Sequence, residues 1–171
     1  MSEDFSRLGR LLGEAVKLKD VVRKGWLRCN VPGPESSAAH SWGVSFLALL
    51  LCPPELNRER VLSLAIIHDL PEIKAGDVTP YDGISVEDKH AAELEAIKEL
   101  DSSAGTNLTE IFQEYLDNAT PEAKFIHACD KLDMAITAKH YSKRSGIDLQ
   151  EFIDSASGFL EGNELSRLIE S

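Results

Sequence analysis

His68-Asp69 closes the apolar run Val61-Leu62-Ser63-Leu64-Ala65-Ile66-Ile67, a segment with no structural use for a ring nitrogen beside a carboxylate. A divalent cation would compensate both groups at once. Imidazole and carboxylate are good ligands for first-row ions, and coordination offsets the desolvation that otherwise opposes burying them. His40 and Asp130 are further candidate ligands elsewhere in the chain. The dipeptide alone also fits a structural role, with the histidine capping its helix and the aspartate opening the next turn.

Helical periodicity must position these groups. Leu8, Leu11, Leu12, Ala15, Val16 and Lys19 recur at spacings of three and four, which predicts an amphipathic helix over 4–22. Arg23 to Glu35, with Gly25, Pro32, Gly33 and Pro34, predicts an irregular loop. Ser36 or Ser37 can cap the helix carrying His40, which ends at Pro53-Pro54, and Asn57 can cap the next, running toward His68. Pro71 opens a short helix ending near Gly76, and 77–84 form a second loop. Ser85-Val86-Glu87-Asp88 starts a helix to about Leu100, and a further helix is expected near 108–118. Thr120-Pro121-Glu122 starts a long helix through Asp130 to about Lys143, and Asp148 opens a last one, to about 170. No β-alternating run and no repeat occurs, so three predicted helices supply the four ligands, as an all-α bundle allows.

The 171 residues fit one compact domain. A net charge of −11, from 29 acidic and 18 basic residues, argues against a polymeric nucleic acid partner, since phosphate-backbone contact needs clustered Lys and Arg. A small anionic substrate is compatible, because a bound dication with one or two arginines reverses the potential within a single pocket. Cys29, Cys52 and Cys129 show no disulfide or thiolate-site spacing and read as reduced thiols of a cytoplasmic protein. The start, Met1-Ser2-Glu3-Asp4-Phe5, lacks a signal-peptide pattern, and the stretch from Trp42 to Pro54 is too short to span a bilayer, which needs ~20 residues.

Ala39-His40-Ser41, Ile67-His68-Asp69-Leu70-Pro71-Glu72, Gly76-Asp77-Val78-Thr79-Pro80 and Asp130-Lys131-Leu132-Asp133 occur in the order found in HD-domain metal-dependent phosphohydrolases. The chain resembles in particular the small single-domain 5′-deoxynucleotidase branch, which Arg23-Lys24-Gly25-Trp26-Leu27-Arg28, Pro34-Glu35-Ser36 and Pro121-Glu122-Ala123-Lys124-Phe125 also match. The likeness spans about residues 8–145, with C-terminal helices at about 148–170 beyond it. It implies a compact HD-domain helical bundle and a homodimer, for which 108–118 and 148–170 are candidate interface helices.

The resemblance further implies one divalent metal ion on His40, His68, Asp69 and Asp130, with positions left for water and a phosphate oxygen. Two imidazoles and two carboxylates accept manganese, cobalt, iron, nickel, zinc or magnesium. Glu72 matches the catalytic acidic residue that orients or deprotonates water, although after Pro71 it also fits a solvated helix start. Asp77 matches an acidic residue near the substrate sugar and phosphate, and equally fits a turn after Gly76. Arg23 matches the phosphate-binding arginine, a role Arg28 fits as well. Trp26 stands two residues further from Arg23 than the tryptophan of some relatives, so it is either a sugar-side contact or a loop anchor. His90, His127 and His140 take no role, and Glu87, Asp88, Glu93, Glu95 and Glu99 form a solvated acidic face where a second cation could settle.

The implied activity is hydrolysis of (2′-deoxy)nucleoside 5′-monophosphates to nucleoside and inorganic phosphate by metal-bound water. Alternatives are the same chemistry on a cyclic nucleotide, a triphosphate or a guanosine polyphosphate, or a non-catalytic, metal-stabilised nucleotide-binding protein.

Overall fold

Caps written into the sequence start the helices of the computed structural model, which describes residues 2–170. The order is α1 (Ser2–Ala15), α2 (Lys24–Arg28), α3 (Ser37–Leu51), α4 (Arg58–Ile67), α5 (Glu72–Ala75), α6 (Val86–Ala104), α7 (Leu108–Asp117), α8 (Pro121–Ser145), α9 (Gln150–Phe159) and α10 (Arg167–Glu170), with 3₁₀ turns at Val16–Asp20, Pro80–Asp82 and Glu164–Ser166. The Ser36 hydroxyl accepts from the Ala39 N–H at 3.3 Å, Asn57 Oδ1 from Arg60 at 3.2 Å, and the Thr120 hydroxyl from Ala123 at 3.1 Å. The all-α class expected from the periodicity is what forms; among the described residues the only β pairing is an isolated antiparallel bridge, Val22 with Ser36. No described helix is long and apolar enough to cross a membrane.

α8 is the central element. It packs on α3, α4 and α9, and its buried residues, among them Ile126, Cys129, Leu132, Ala135 and Ala138, fall on several faces. Small side chains on these faces let neighbouring helices approach closely, and the same approach delivers polar groups on α8 to the site. The main core joins Val44 and Ala48 of α3, Val61 and Leu64 of α4, Ile97 and Leu100 of α6, Phe112 of α7 and Ile126 of α8. Cys129 is fully buried beside them, and burial pushes its thiol up to about 12, which keeps it an inert packing residue.

Three expectations change. The predicted 4–22 helix tightens to a 3₁₀ turn after Ala15, which buries Leu18 before the chain turns extended at Val21. The Arg23 N–H then donates to the Glu35 carbonyl at 3.1 Å and the Ser37 N–H to Val21 at 2.8 Å, a pairing across the segment that local periodicity could not show. Within the expected loop 23–35, α2 forms because the Asp77 carboxylate, 53 residues away, accepts from the Lys24 N–H at 2.5 Å and supplies the missing cap. The expected last helix divides, since Leu160 and Ile169 are both buried and Gly162, at φ +77°, turns the chain between them.

Candidate active site

His40 and His68 reach the centre from different helices with rings already oriented. His40, 1% exposed on α3, donates from Nδ1 to Asp133 Oδ2 at 2.8 Å and places Nε2 3.0 Å from Asp130 Oδ1. His68, at the C-terminal cap of α4, donates from Nδ1 to the Ala65 carbonyl at 2.8 Å. That bond assigns the Nε2 lone pair, and this buried nitrogen has no hydrogen-bond partner. Asp69 follows, with Oδ1 3.3 Å from His68 Nε2 and Oδ2 3.9 Å from His40 Nε2. Ligand atoms of His40, His68 and Asp130 all lie within 4.8 Å of one another. The four predicted ligands therefore converge, although they are spread over ninety positions of chain.

The donor set passes the test for a divalent ion. An unpartnered buried acceptor costs free energy, and here it faces a nitrogen and carboxylates that suit borderline first-row ions. Metal-ligating histidines commonly donate their second N–H to a carboxylate or a carbonyl, as His40 does to Asp133 and His68 to Ala65. A second grouping, Glu35, His40 and Asp133, shares the same spacing, but Glu35 accepts from Trp26 and Asp133 from His40, so these carboxylates hold side chains in place.

Electrostatics show the same demand for positive charge. Burial and Arg23 oppose protonation of His40, but Asp130, Asp133 and Asp69 outweigh them and lift it to about 10. Burial would raise Asp130, yet Lys131, 3.0 Å away, and then the hydrogen bond and charge of His40 hold it well below the carboxylate range. Glu72, 3% exposed, is pushed up to about 8 by burial and then by Asp69, with Arg23 acting the other way. The solvated helix start considered for Glu72 is therefore not what forms. Its Oε2 accepts from Ser37 Oγ at 2.5 Å.

The sign of the resulting pH dependence is definite for metal-free protein. Glu72 binds its proton more tightly folded than unfolded, so its contribution is complete below pH 4.5 and is lost as pH rises through about 8. His40 behaves alike, complete below pH 6.5 and lost through about 10. Denaturant midpoints of chelator-treated protein should therefore fall steadily from pH 5 to 10. A flat profile would contradict the burial of these groups.

The structure separates the two arginines. The Arg23 guanidinium lies among the carboxylates, 3.5 Å from Asp69, 3.7 Å from Asp77 and 3.8 Å from Glu72. Burial opposes its charge, but Asp69, Asp77 and Glu72 raise its pKa further. Arg28 instead stands at the cleft rim, ion-paired with Glu151 of α9. Trp26, 2% exposed, is mainly a core anchor, with Nε1 donating to Glu35 at 2.9 Å and rings of Phe152 and Tyr141 at 4.5 and 5.4 Å, although part of it lines the cleft. Asp77 spends one oxygen on the Lys24 N–H and turns the other toward Arg23. A cleft of about 530 Å³, within the size range of small-ligand sites, opens over Arg23, Asp69, Glu72, Asp77 and Asp130.

Asp133 carries no role readable from the sequence and Ser37 only that of a candidate helix cap, yet both orient site groups, Asp133 holding His40 and Ser37 holding Glu72. A signal existed: Asp133 lies three residues beyond Asp130, and Ser37 three before His40, on the same helix faces. The acidic face expected to be solvated is so at Glu87, Asp88, Glu95 and Glu99, whereas Glu93 is buried and pairs with Lys89 at 3.5 Å. His90 lines the cleft, and His127 stacks on Tyr115 at 4.1 Å.

Gly43 is what lets Asp133 reach His40, since a Cβ there would overlap the Asp133 carboxylate. Gly43→Ala should displace Asp133 and weaken metal affinity by about 10–100-fold, the usual effect of losing an orienting partner. Titration with manganese under competition from a chelator would measure it.

The HD domain family matches residues 15–167, and the chain belongs to that family. Among curated relatives, 5′-deoxynucleotidase HDDC2 of Homo sapiens is 34% identical over 166 residues, covering 94% of this chain and 80% of the relative. 5′-deoxynucleotidase hdd1 of Schizosaccharomyces pombe is 35% identical over 136 residues, covering 75% of this chain and 69% of the relative. A conserved hypothetical protein of Pyrococcus furiosus superposes with a TM-score of 0.81 at 37% identity, covering 94% of this chain and 96% of that one. A predicted metal-dependent phosphohydrolase of Magnetospirillum magnetotacticum gives 0.75 at 25% identity, with 98% and 90% covered.

Proposed function

We propose that this protein is a metal-dependent 5′-nucleotidase that hydrolyses 2′-deoxynucleoside 5′-monophosphates to nucleoside and inorganic phosphate. The observation that carries it is the unpartnered, buried Nε2 of His68, facing His40, Asp69 and Asp130, of which the two aspartates line an open cleft. The names of the relatives, 5′-deoxynucleotidases, agree. His40, His68, Asp69 and Asp130 would hold one divalent ion, which supplies acidification of water and polarisation of a phosphoryl oxygen.

The chain's own groups then divide the work. Arg23 presents a planar, permanently charged fork to the phosphate, and burial strengthens that attraction. Glu72 takes a proton from the attacking water, for which its carboxylate is placed beside Arg23 and among the groups lining the cleft. Water adds to phosphorus while the bond to the 5′ oxygen breaks, one water proton passes to Glu72, and the departing oxygen takes up a proton from solvent in the cleft, to which Glu72 afterwards releases its own. Asp77, fixed through Lys24, orients the sugar end beside that oxygen. We further propose a single-domain, cytoplasmic homodimer, which sedimentation of the metal-loaded protein would test.

Phosphate release from a panel of nucleoside monophosphates with manganese or cobalt tests the reaction, and single turnover in ¹⁸O-water tests its route. The label should enter phosphate. Its recovery in the nucleoside would contradict attack at phosphorus.

A further inference from the structure

The outer end of the cleft carries a different chemistry from its floor. Tyr81, in the segment between α5 and α6, is 67% exposed, and the Arg28 guanidinium lies 4.1 Å from its ring centroid. Phe152 of α9 stands 5.8 Å from the same guanidinium, and all three line the cleft together with Ile84. Gly25 permits this, because a side chain there would press on the Phe152 ring at 3.1 Å.

Glu151 fastens the group. Its Oε1 accepts from Arg28 and, at 3.4 Å, from the Cys29 thiol, while Oε2 accepts from the Tyr81 hydroxyl at 3.1 Å. Three separate pieces of chain, α2, the 77–84 segment and α9, are thereby joined at one lip. Both carboxylate oxygens are engaged in that fastening. What the lip still offers is π surface and a flat cation.

Accepting the nucleotidase reading, we infer that this lip is the nucleobase site, with the base stacked on Tyr81 and flanked by Arg28. The phosphate belongs at the floor, beside Arg23 and Glu72, so the nucleoside must extend outward toward Tyr81. Every base has a π face, and stacking tolerates all of them.

The test compares deoxyadenosine 5′-monophosphate with 2-deoxyribose 5-phosphate, which lacks the base, on manganese-loaded enzyme. In Tyr81→Ala the ratio of their KM values should rise about tenfold, with Tyr81→Phe, which keeps the ring, near the wild-type ratio. An unchanged ratio in Tyr81→Ala, or equal losses on both substrates, would overturn the assignment and leave Tyr81 as a mere fastener of the segment bearing Asp77. If wild-type enzyme releases phosphate from neither compound, the nucleotidase reading fails separately. Calorimetric affinity for deoxyadenosine monophosphate then decides the base site: it should weaken about tenfold in Tyr81→Ala, and equal affinity would overturn it.

Discussion

Glu72→Gln is expected to keep its cation and lose about 10²–10⁴-fold in kcat, the usual contribution of a positioned proton acceptor. The amide preserves volume and can still meet Ser37 Oγ, so packing around this 3%-exposed site is retained. What it cannot do is take a proton. Because Glu72 is absent from the four converging ligands, metal content measured by atomic emission should match wild type. The same substitution removes the titration near pH 8, so the metal-free variant should lose less stability than wild type between pH 5 and 9. A variant with full metal and undiminished turnover would remove Glu72 from the mechanism, and unchanged pH dependence would remove it from the account of stability.

His68→Leu should abolish activity by a different route, through loss of the ion. The loss in affinity should exceed the roughly 10–100-fold typical of an orienting partner such as Asp133. Metal-free stability should fall by only about 1–3 kcal/mol, since leucine is of similar size and gives up the Nδ1 bond to the Ala65 carbonyl, whereas the Nε2 it also removes has no hydrogen-bond partner. Thermal midpoints with and without manganese make the distinction. Wild type should gain about 2.7 kcal/mol at a cation concentration one hundred times Kd, and the variant nothing. Stoichiometric manganese in the variant would show that the ion, if bound, sits elsewhere.

These two residues also show how unevenly the site can be inferred from residue order. The His68-Asp69 pair stood out because it interrupts an apolar helix, a contrast visible within ten residues. Glu72, after Pro71, reads by itself as a solvated helix start, and only the family resemblance gives it a catalytic role. Its burial beside Asp69, Asp77 and Arg23 depends on α5 packing on α6 and on Ser37 of α3 reaching its carboxylate, which no local pattern encodes. Arg23 and Arg28 differ by five positions in one segment, and the cap that Asp77 places on Lys24 sends one to the floor and the other to the rim. Trp26, a candidate sugar contact, turned its ring mostly into the core because Phe152 and Tyr141 converge there from α9 and α8.

The helices themselves, their starts at Ser36, Asn57, Ser85 and Thr120 and the all-α class were legible in residue order, because capping and periodicity involve partners only three or four positions apart. The break at Gly162, the short α2, the Asp133–His40 contact and the empty lone pair on His68 were not. Each depends on which groups from distant segments exclude water together. Burial and convergence are properties of packed surfaces, and they exist only once the chain has closed on itself.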